Sequence, residues 1–191
     1  TGGSADSNYG IYLFTTLSEN VISGNTVTTS GTTDNYGIRL REKQKMKRSY
    51  GMMERQFRKF FRDALRKKGV TGDTLLTLLE RRLDNVIFRL GFAKTRNQGR
   101  QVVTHGHILV NDRKVSAPSY LVREGDVIRI RDGSSNMPLW GEAVEFSTRK
   151  TVPDWLESDK DKRVGRVKEL PRREHISESF EEQHVVEFYS R

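Results

Sequence analysis

The stretch TLLTLLERRLDNVIFRLGFAKTRNQGRQVVTHGHILVNDRKVSAPSYLVREGDVIRIR, residues 74–131, decides the fold. Its first part repeats apolar residues at helical spacing. Leu76, Leu79, Leu83, Val86, Ile87 and Leu90 form one core stripe. The charges of Arg81 and Arg82 crowd its middle, where a bend is expected, and Gly91 ends it. Thr95-Arg96-Asn97-Gln98 then has the spacing of a capping box, with Thr95 as N-cap and Gln98 reaching back. That predicts a short helix from Arg96 to Thr104, stopped by Gly106. Beyond it the period changes to two. Ile108-Leu109-Val110 reads as a strand and Asn111-Asp112-Arg113 as a turn; Val115 and Leu121-Val122 are strand candidates, and Glu124-Gly125-Asp126 is a second turn. Ile128 and Ile130 alternate with Arg129 and Arg131, a half-buried strand with a basic outer face. The expected unit is a helix–turn–helix followed by a small antiparallel sheet.

Upstream, Ile38 to Tyr50 reads as a charged helix ended by Gly51, and Met52 to Lys68 as a second ended by Gly69. In the second, Met53, Phe57, Phe60, Phe61, Ala64 and Leu65 make an apolar face, while Arg55, Lys59, Arg62 and Arg66 recur at the same steps on another. Residues 39–68 hold thirteen Lys and Arg against three acids, a net +10 in thirty residues. Like charges one turn apart destabilise a helix, and a merely solvated face usually alternates sign. A polyanionic partner is therefore expected, structured RNA in view of the pattern that follows.

The whole chain, 191 residues with a formal net charge of +9, is long enough for one or two small domains. It has no cysteine, which excludes disulfides and thiolate chemistry, and no apolar run of membrane-spanning length. No secretory leader is expected. Residues 1–37 differ in character: they are rich in Thr, Ser, Asn and Gly, and carry three acids and no Lys or Arg. Asn8-Tyr9-Gly10-Ile11 returns as Asn35-Tyr36-Gly37-Ile38. This segment resembles a coil of a parallel β-helix, a family of secreted or surface carbohydrate-active proteins. A solenoid needs about three stacked repeats to bury a core, so an irregular extension is favoured over an ordered coil.

Arg82-Leu83-Asp84-Asn85, Arg89-Leu90-Gly91-Phe92-Ala93, Arg100-Gln101, His105-Gly106-His107-Ile108-Leu109-Val110-Asn111, Pro118-Ser119-Tyr120 and Gly125-Asp126 together resemble the αL RNA-binding motif. Leu40-Arg41-Glu42-Lys43-Gln44-Lys45, Tyr50-Gly51, Trp155-Leu156 and Val185-Val186-Glu187-Phe188-Tyr189-Ser190 extend the resemblance to the bacterial-type small-subunit ribosomal protein S-four family, over about residues 36–191. The family's basic N-terminal arm is replaced by the β-helix-like segment, which suggests a chimeric chain joined near Tyr36–Leu40. Gly99 also departs from the family, which more often has Ala there; Gly in a helix interior costs about 1 kcal/mol.

The resemblance implies an α+β protein. A basic helical lobe (38–80) packs with the tail (171–191), the αL motif spans 81–131, and a β/loop extension spans 132–170. It further implies a non-enzymatic ribosomal constituent that binds small-subunit ribosomal RNA at a multi-helix junction during assembly and translation. Its neighbours would be other small-subunit proteins, an S-five type among them, on the cytoplasmic ribosome, with no cofactor, small-molecule substrate or membrane. The expected RNA face comprises Arg39, Arg41, Lys43, Lys45, Lys47, Arg48, Arg55, Lys59, Arg62, Arg66 and Arg82. It continues through Lys94, Thr95, Arg96, Asn97 and Arg100 at the start of the αL helix, where free N–H groups face phosphate, to His105, His107, Asn111, Arg113, Lys114 and Ser119. On this reading Arg96→Glu with Arg100→Glu lowers RNA affinity and leaves the fold intact. Arg81 and Arg82 have a second reading, as a surface ion network with Glu80 and Asp84. The acids Glu174, Glu178, Glu181 and Glu182 are expected on charge grounds to face away from RNA, where they are available to a basic neighbour. His105 and His107 project to opposite sides with no acidic or Cys partner nearby, so metal is not expected. The alternative function is an RNA-modifying enzyme of the pseudouridine synthase type, because Arg82-Leu83-Asp84 echoes that family's catalytic word; Asp84→Ala would then abolish turnover.

Overall fold

The computed structural model describes residues 32–147, 151–159 and 162–190. Seven helices are described: α1 (Thr32–Ser49), α2 (Glu54–Leu65), α3 (Thr71–Glu80), α4 (Leu83–Arg89), α5 (Arg96–Thr104), α6 (Pro138–Ser147) and α7 (Glu182–Tyr189). Five strands, β1 (Ile108–Val110), β2 (Arg113–Lys114), β3 (Val127–Ile130), β4 (Leu156–Asp159) and β5 (Val164–Val167), form one antiparallel sheet in the order β2-β1-β3-β5-β4. The fold is α+β, with two hydrophobic cores.

The first core belongs to the helical lobe. Met46 and Tyr50 of α1 and the turn after it, Phe57, Phe60, Phe61 and Ala64 of α2, and the leucines of α3 bury against Ile176, Phe180 and Val185 of the tail. Aromatic contacts fasten the tail helix: Tyr189 stacks on Phe61 with centroids 4.7 Å apart, and Phe188 meets Tyr36 at 5.6 Å. The contact at Tyr36 lies on a part of α1 that the sequence reading excluded. The start expected from sequence is Ile38; the helix begins at Thr32, so residues 32–37 are helical and not irregular or β-helix-like. The β-helix resemblance of residues 1–31 falls outside the described residues.

The second core joins α4, α5 and the sheet through Leu83, Val86, Ile87, Leu90, Val102, Val103, Ile108, Ile128, Trp140 and Trp155. The expected bend near Arg81–Arg82 is a full break: Arg82 is extended (ψ 135°) and separates α3 from α4. Val115 and Leu121-Val122 do not form strands; Leu121 makes only an isolated bridge to Arg82. Backbone bonds from Leu83 N to Tyr120 O and Asp84 N to Pro118 O spend that segment on the start of α4 instead. Residues 132–170, expected as β and loop, also contain α6. Pro138 opens it, its fixed φ suiting a first helical turn, and Trp140 anchors it with Nε1 donating to Ser134 O (2.7 Å).

Gly99 is placed where α5 crosses α4. A Cβ there would lie 2.5 Å from the Asp84 carbonyl oxygen. The absence of a side chain permits this close approach, which offsets its cost in helix propensity.

Candidate nucleic-acid interface

Helix α2 is the least encumbered basic surface. At 3.6 residues per turn, Arg55, Lys59, Arg62 and Arg66 lie on the side opposite Phe57, Phe60, Phe61 and Ala64. All four are exposed, and none has an ion pair among the described residues. Arg41 and Arg48 on α1 are likewise exposed and unpaired there.

The rest of the α1 cations behave differently from expectation. Arg39 Nε donates to Glu187 (2.8 Å) on α7. Lys43 is buried, bonded to Glu54 (3.1 Å) and set 4.3 Å from the centre of the Phe188 ring. Lys47 shares Glu54 (3.3 Å), and exposed Lys45 donates to Ser179 O (2.6 Å). Arg39, Lys43 and Lys47 therefore hold the helical lobe together. Their compensating acids lie on α2 and α7, some of them far off in sequence. Burial raises the Glu54 pKa, but hydrogen bonds from Tyr189, Lys43 and Lys47 outweigh this and hold it at about 2.

Arg82, expected on the RNA face, lies in the interior instead. It is fully buried, faces the Phe60 ring at 5.3 Å, and forks onto Asp84 through Nε (3.0 Å) and Nη2 (2.5 Å). It cannot reach RNA, and the pair with Asp84 is an internal strut rather than a surface network. Asp84 Oδ1 also accepts from Asn85 N (2.9 Å).

Beside it lies a polar network that the sequence reading missed. Buried Glu80 accepts from Tyr50 Oη (2.6 Å), Asn85 Nδ2 (2.8 Å), Arg89 Nε (3.0 Å) and Arg89 Nη2 (2.7 Å). Glu178, on the tail, accepts from Arg89 (2.6 Å) and Arg96 (2.7 Å). Arg96 also donates to Asn85 Oδ1 (2.7 Å) and sits 4.9 Å from the Tyr50 ring and 4.8 Å from the Phe88 ring. Arg100 donates to Gly51 O (2.8 Å) and approaches Asp84 at 3.6 Å. Burial and then Glu80 push the Tyr50 hydroxyl well up, so it remains a donor. A signal was present in the sequence: Glu80 ends an otherwise leucine-rich stripe.

Arg96 and Arg100 thus join the two lobes. The reading that reversing both charges leaves the fold intact does not hold. Arg96→Glu would face Glu178 across the same gap, and Arg96→Glu with Arg100→Glu is expected to destabilise by about 2–5 kcal/mol, measured as a shift in urea midpoint. Glu178 is thus engaged within the chain, and the other acids of the cluster have partners of their own: Glu182 pairs with Arg173 (2.5 Å), Glu181 with His184 (2.9 Å) and Glu174 with Arg172 (3.7 Å).

The network also sets an acid limit. Burial raises the Glu178 pKa, but Arg89 and Arg96 override it and hold it at about 2. A carboxylate depressed in the folded state contributes stability that is whole above its unfolded pKa of about 4.3 and is lost as pH falls towards the folded value. Urea midpoints are expected to be flat from neutral pH to about 5 and to fall between about 4.5 and 2. Glu178→Gln should show a shallower fall; an identical profile would remove Glu178 from this role.

The remaining expected residues surround α5 and the hairpin. Thr95 Oγ1 accepts from Gln98 N (3.1 Å), while Gln98 Oε1 accepts from Lys94 N (2.6 Å), one residue earlier than the expected N-cap. Exposed Asn97 lies against the Gly51 turn, where a Cβ would meet its Oδ1 at 3.2 Å and φ is +58°. Lys94 pairs with Glu142 (2.6 Å). Asn111 and Asp112, both left-handed (φ 49° and 62°), make the β1–β2 turn. Asn111 donates to Asp126 (2.8 Å) and accepts from Val127 N (2.9 Å), so its side chain ties β1 to the 123–127 turn. His107 Nδ1 shares a hydrogen bond with Ser134 Oγ (2.9 Å). Burial, then His105, Arg131 and Lys114, lower its pKa. His105, Arg113, Lys114 and Ser119 are exposed. Arg100 also contacts Gln56 (3.3 Å), which sets the start of α2 beside α5.

A two-helix unit leading into a hairpin sheet, carried beside a basic helical lobe, defines the class of S4-domain proteins. Residues 81–128 match the S4 domain, and residues 24–80 match the ribosomal protein S4/S9 N-terminal domain. The second match begins inside the segment read as foreign. The small ribosomal subunit protein uS4 of Thermoanaerobacter sp. (strain X514) is 57% identical over 157 residues, covering 82% of this chain and 75% of that one. The proteins of the same description from Trichlorobacter lovleyi and Syntrophobacter fumaroxidans are 52% and 51% identical, covering 83% and 84% of this chain and 76% and 77% of their own lengths. The chain belongs to the uS4 family of small ribosomal subunit proteins.

Proposed function

We propose that this chain is a structural constituent of the small ribosomal subunit and binds small-subunit ribosomal RNA at a multi-helix junction, serving assembly and translation. The observation that carries this reading is the unpaired α2 stripe of Arg55, Lys59, Arg62 and Arg66. The molecule neutralises Arg39, Lys43, Lys47, Arg82, Arg89 and Arg96 with its own carboxylates, but leaves this stripe to solvent. Structured RNA is recognised largely through shape, phosphates and 2′-hydroxyls, and rigid cations on a helix suit that chemistry. Arg41, Arg48, His105, Arg113, Lys114 and Ser119 extend the face. Neighbouring small-subunit proteins, an S-five type among them, are the protein partners. Among the described residues no helix is long and apolar enough to cross a membrane.

The synthase alternative loses its motif. Asp84 is 3% exposed and already engaged by Arg82, so it is closed to a substrate.

The test is binding of the full chain and of a Lys59→Gln, Arg62→Gln variant to a small-subunit ribosomal RNA junction fragment across a salt series. The variant is expected to lose affinity and to reduce the log–log salt slope by about one to two. An unchanged slope would remove α2 from the interface, and no binding by the parent chain would sink the RNA reading.

A further inference from the structure

Most half-buried arginines here have a carboxylate of their own. Arg39, Arg89, Arg96, Arg129 and Arg173 are each in an ion pair. Arg81 is different. It is half-buried, its Nε is fixed on Val122 O (2.9 Å), and Val122 N in turn donates to Arg81 O (2.9 Å). This mutual pairing sets Arg81 beside exposed Arg123, the residue after Val122. Burial and then the Arg123 charge lower its pKa. Asp126 is the carboxylate that offsets this, but its oxygens are occupied by Asn111 Nδ2 (2.8 Å) and Arg123 N (2.8 Å). No ion pair to Arg81 or Arg123 is formed among the described residues.

Two like charges are therefore held together at a fixed backbone pairing, and among the described residues the other N–H groups of the Arg81 guanidinium have no acceptor. A guanidinium anchored through Nε offers its remaining N–H groups to an oxyanion, and anchoring removes part of the ordering cost of binding. We infer that Arg81 and Arg123 form a second anion-binding point, and that its occupant is an RNA phosphate. RNA is favoured by continuity. The segment carrying Val122 and Arg123 begins at exposed Ser119, and Pro118 and Tyr120 are bonded to the start of α4 beneath Arg100. Exposed Ser119, a residue of the proposed RNA face, therefore shares with exposed Arg123 one segment that is hydrogen-bonded to both sides of the α3–α4 break. This rests on the RNA-binding reading above and adds a contact at the α3–α4 break.

The test uses the full chain with Arg123→Gln, Arg81→Gln and the double variant, each checked by thermal melting. Arg123 is exposed, so its replacement does not threaten the fold. Binding to the ribosomal RNA junction fragment is measured across a salt series beside the Lys59→Gln, Arg62→Gln variant, with a poly-glutamate peptide as a second probe. The double variant is expected to weaken RNA binding several-fold and to lower the salt slope by about one to two. Arg123→Lys, which keeps the charge, should retain the parent slope. A parent-like slope in the double variant, with the α2 variant weakened, would overturn this site and leave the RNA reading standing. An effect on poly-glutamate but not on RNA would assign the pair to an acidic protein segment and overturn the phosphate. Failure of the parent chain to bind RNA would overturn both.

Discussion

Asp84→Ala is expected to destabilise the protein by about 3–5 kcal/mol, because it leaves Arg82 charged, fully buried and without its carboxylate. Small domains are stable by about 5–15 kcal/mol, so this one change removes a large share. The guanidinium cannot escape by deprotonation, since arginine stays charged in proteins, nor by moving into solvent, because Phe60 lies across it at 5.3 Å. The change also removes the acceptor for Asn85 N. A paired control separates the charge from the packing: Arg82→Met with Asp84→Ala should recover most of the loss, since a buried ion pair replaced by apolar groups is often neutral. Urea denaturation of the three proteins reads it directly. A loss under about 1 kcal/mol for Asp84→Ala would mean that water reaches Arg82 and the strut is not sealed.

The second large effect belongs to Glu80. Glu80→Ala strips acceptors from Tyr50, Asn85 and Arg89 at once. Each buried donor left unsatisfied costs about 1–3 kcal/mol, more when charged, so a total of about 3–5 kcal/mol is expected. The location of the damage is as informative as its size. Tyr50 belongs to the helical lobe, Asn85 and Arg89 to α4 of the other, and Glu178 to the tail. Hydrogen exchange should quicken at the Tyr50–Gly51 turn and along residues 176–180, while the β1–β3 ladder keeps its protection. Uniform loss over the whole chain would show that the lobes unfold as one and that Glu80 does not act at their junction. Glu80→Gln keeps the shape and one acceptor, and should fall between parent and Ala.

Much of the fold was legible because it is encoded locally. Period and punctuation give α2, α5, β1 and β3 with small shifts of boundary: glycines at 51, 91 and 106 end elements with positive φ, and Thr95 caps α5 as its spacing requires. Helix α6 escaped because Pro138 and Trp140 sit in a stretch without clear helical periodicity. The start of α1 escaped because its extra turns are held by Phe188, 152 positions away from Tyr36. The stripe on α2 was legible in the same way as its core face, since both follow from one helical period. The rest of the basic block was not, because a cation shows in sequence only as a charge.

The sequence by itself determined that this chain carries a helix–turn–helix–hairpin unit beside a basic helical lobe, and that its charge calls for a polyanion. Which cations remain available was decided only by the tertiary structure. Glu54 takes Lys43 and Lys47, Glu187 takes Arg39, Asp84 takes Arg82, and Glu178 takes Arg96. The reason is that charge interactions act through space and depend on burial, so neutralisation is set by what folding brings within a few ångströms and not by spacing along the chain.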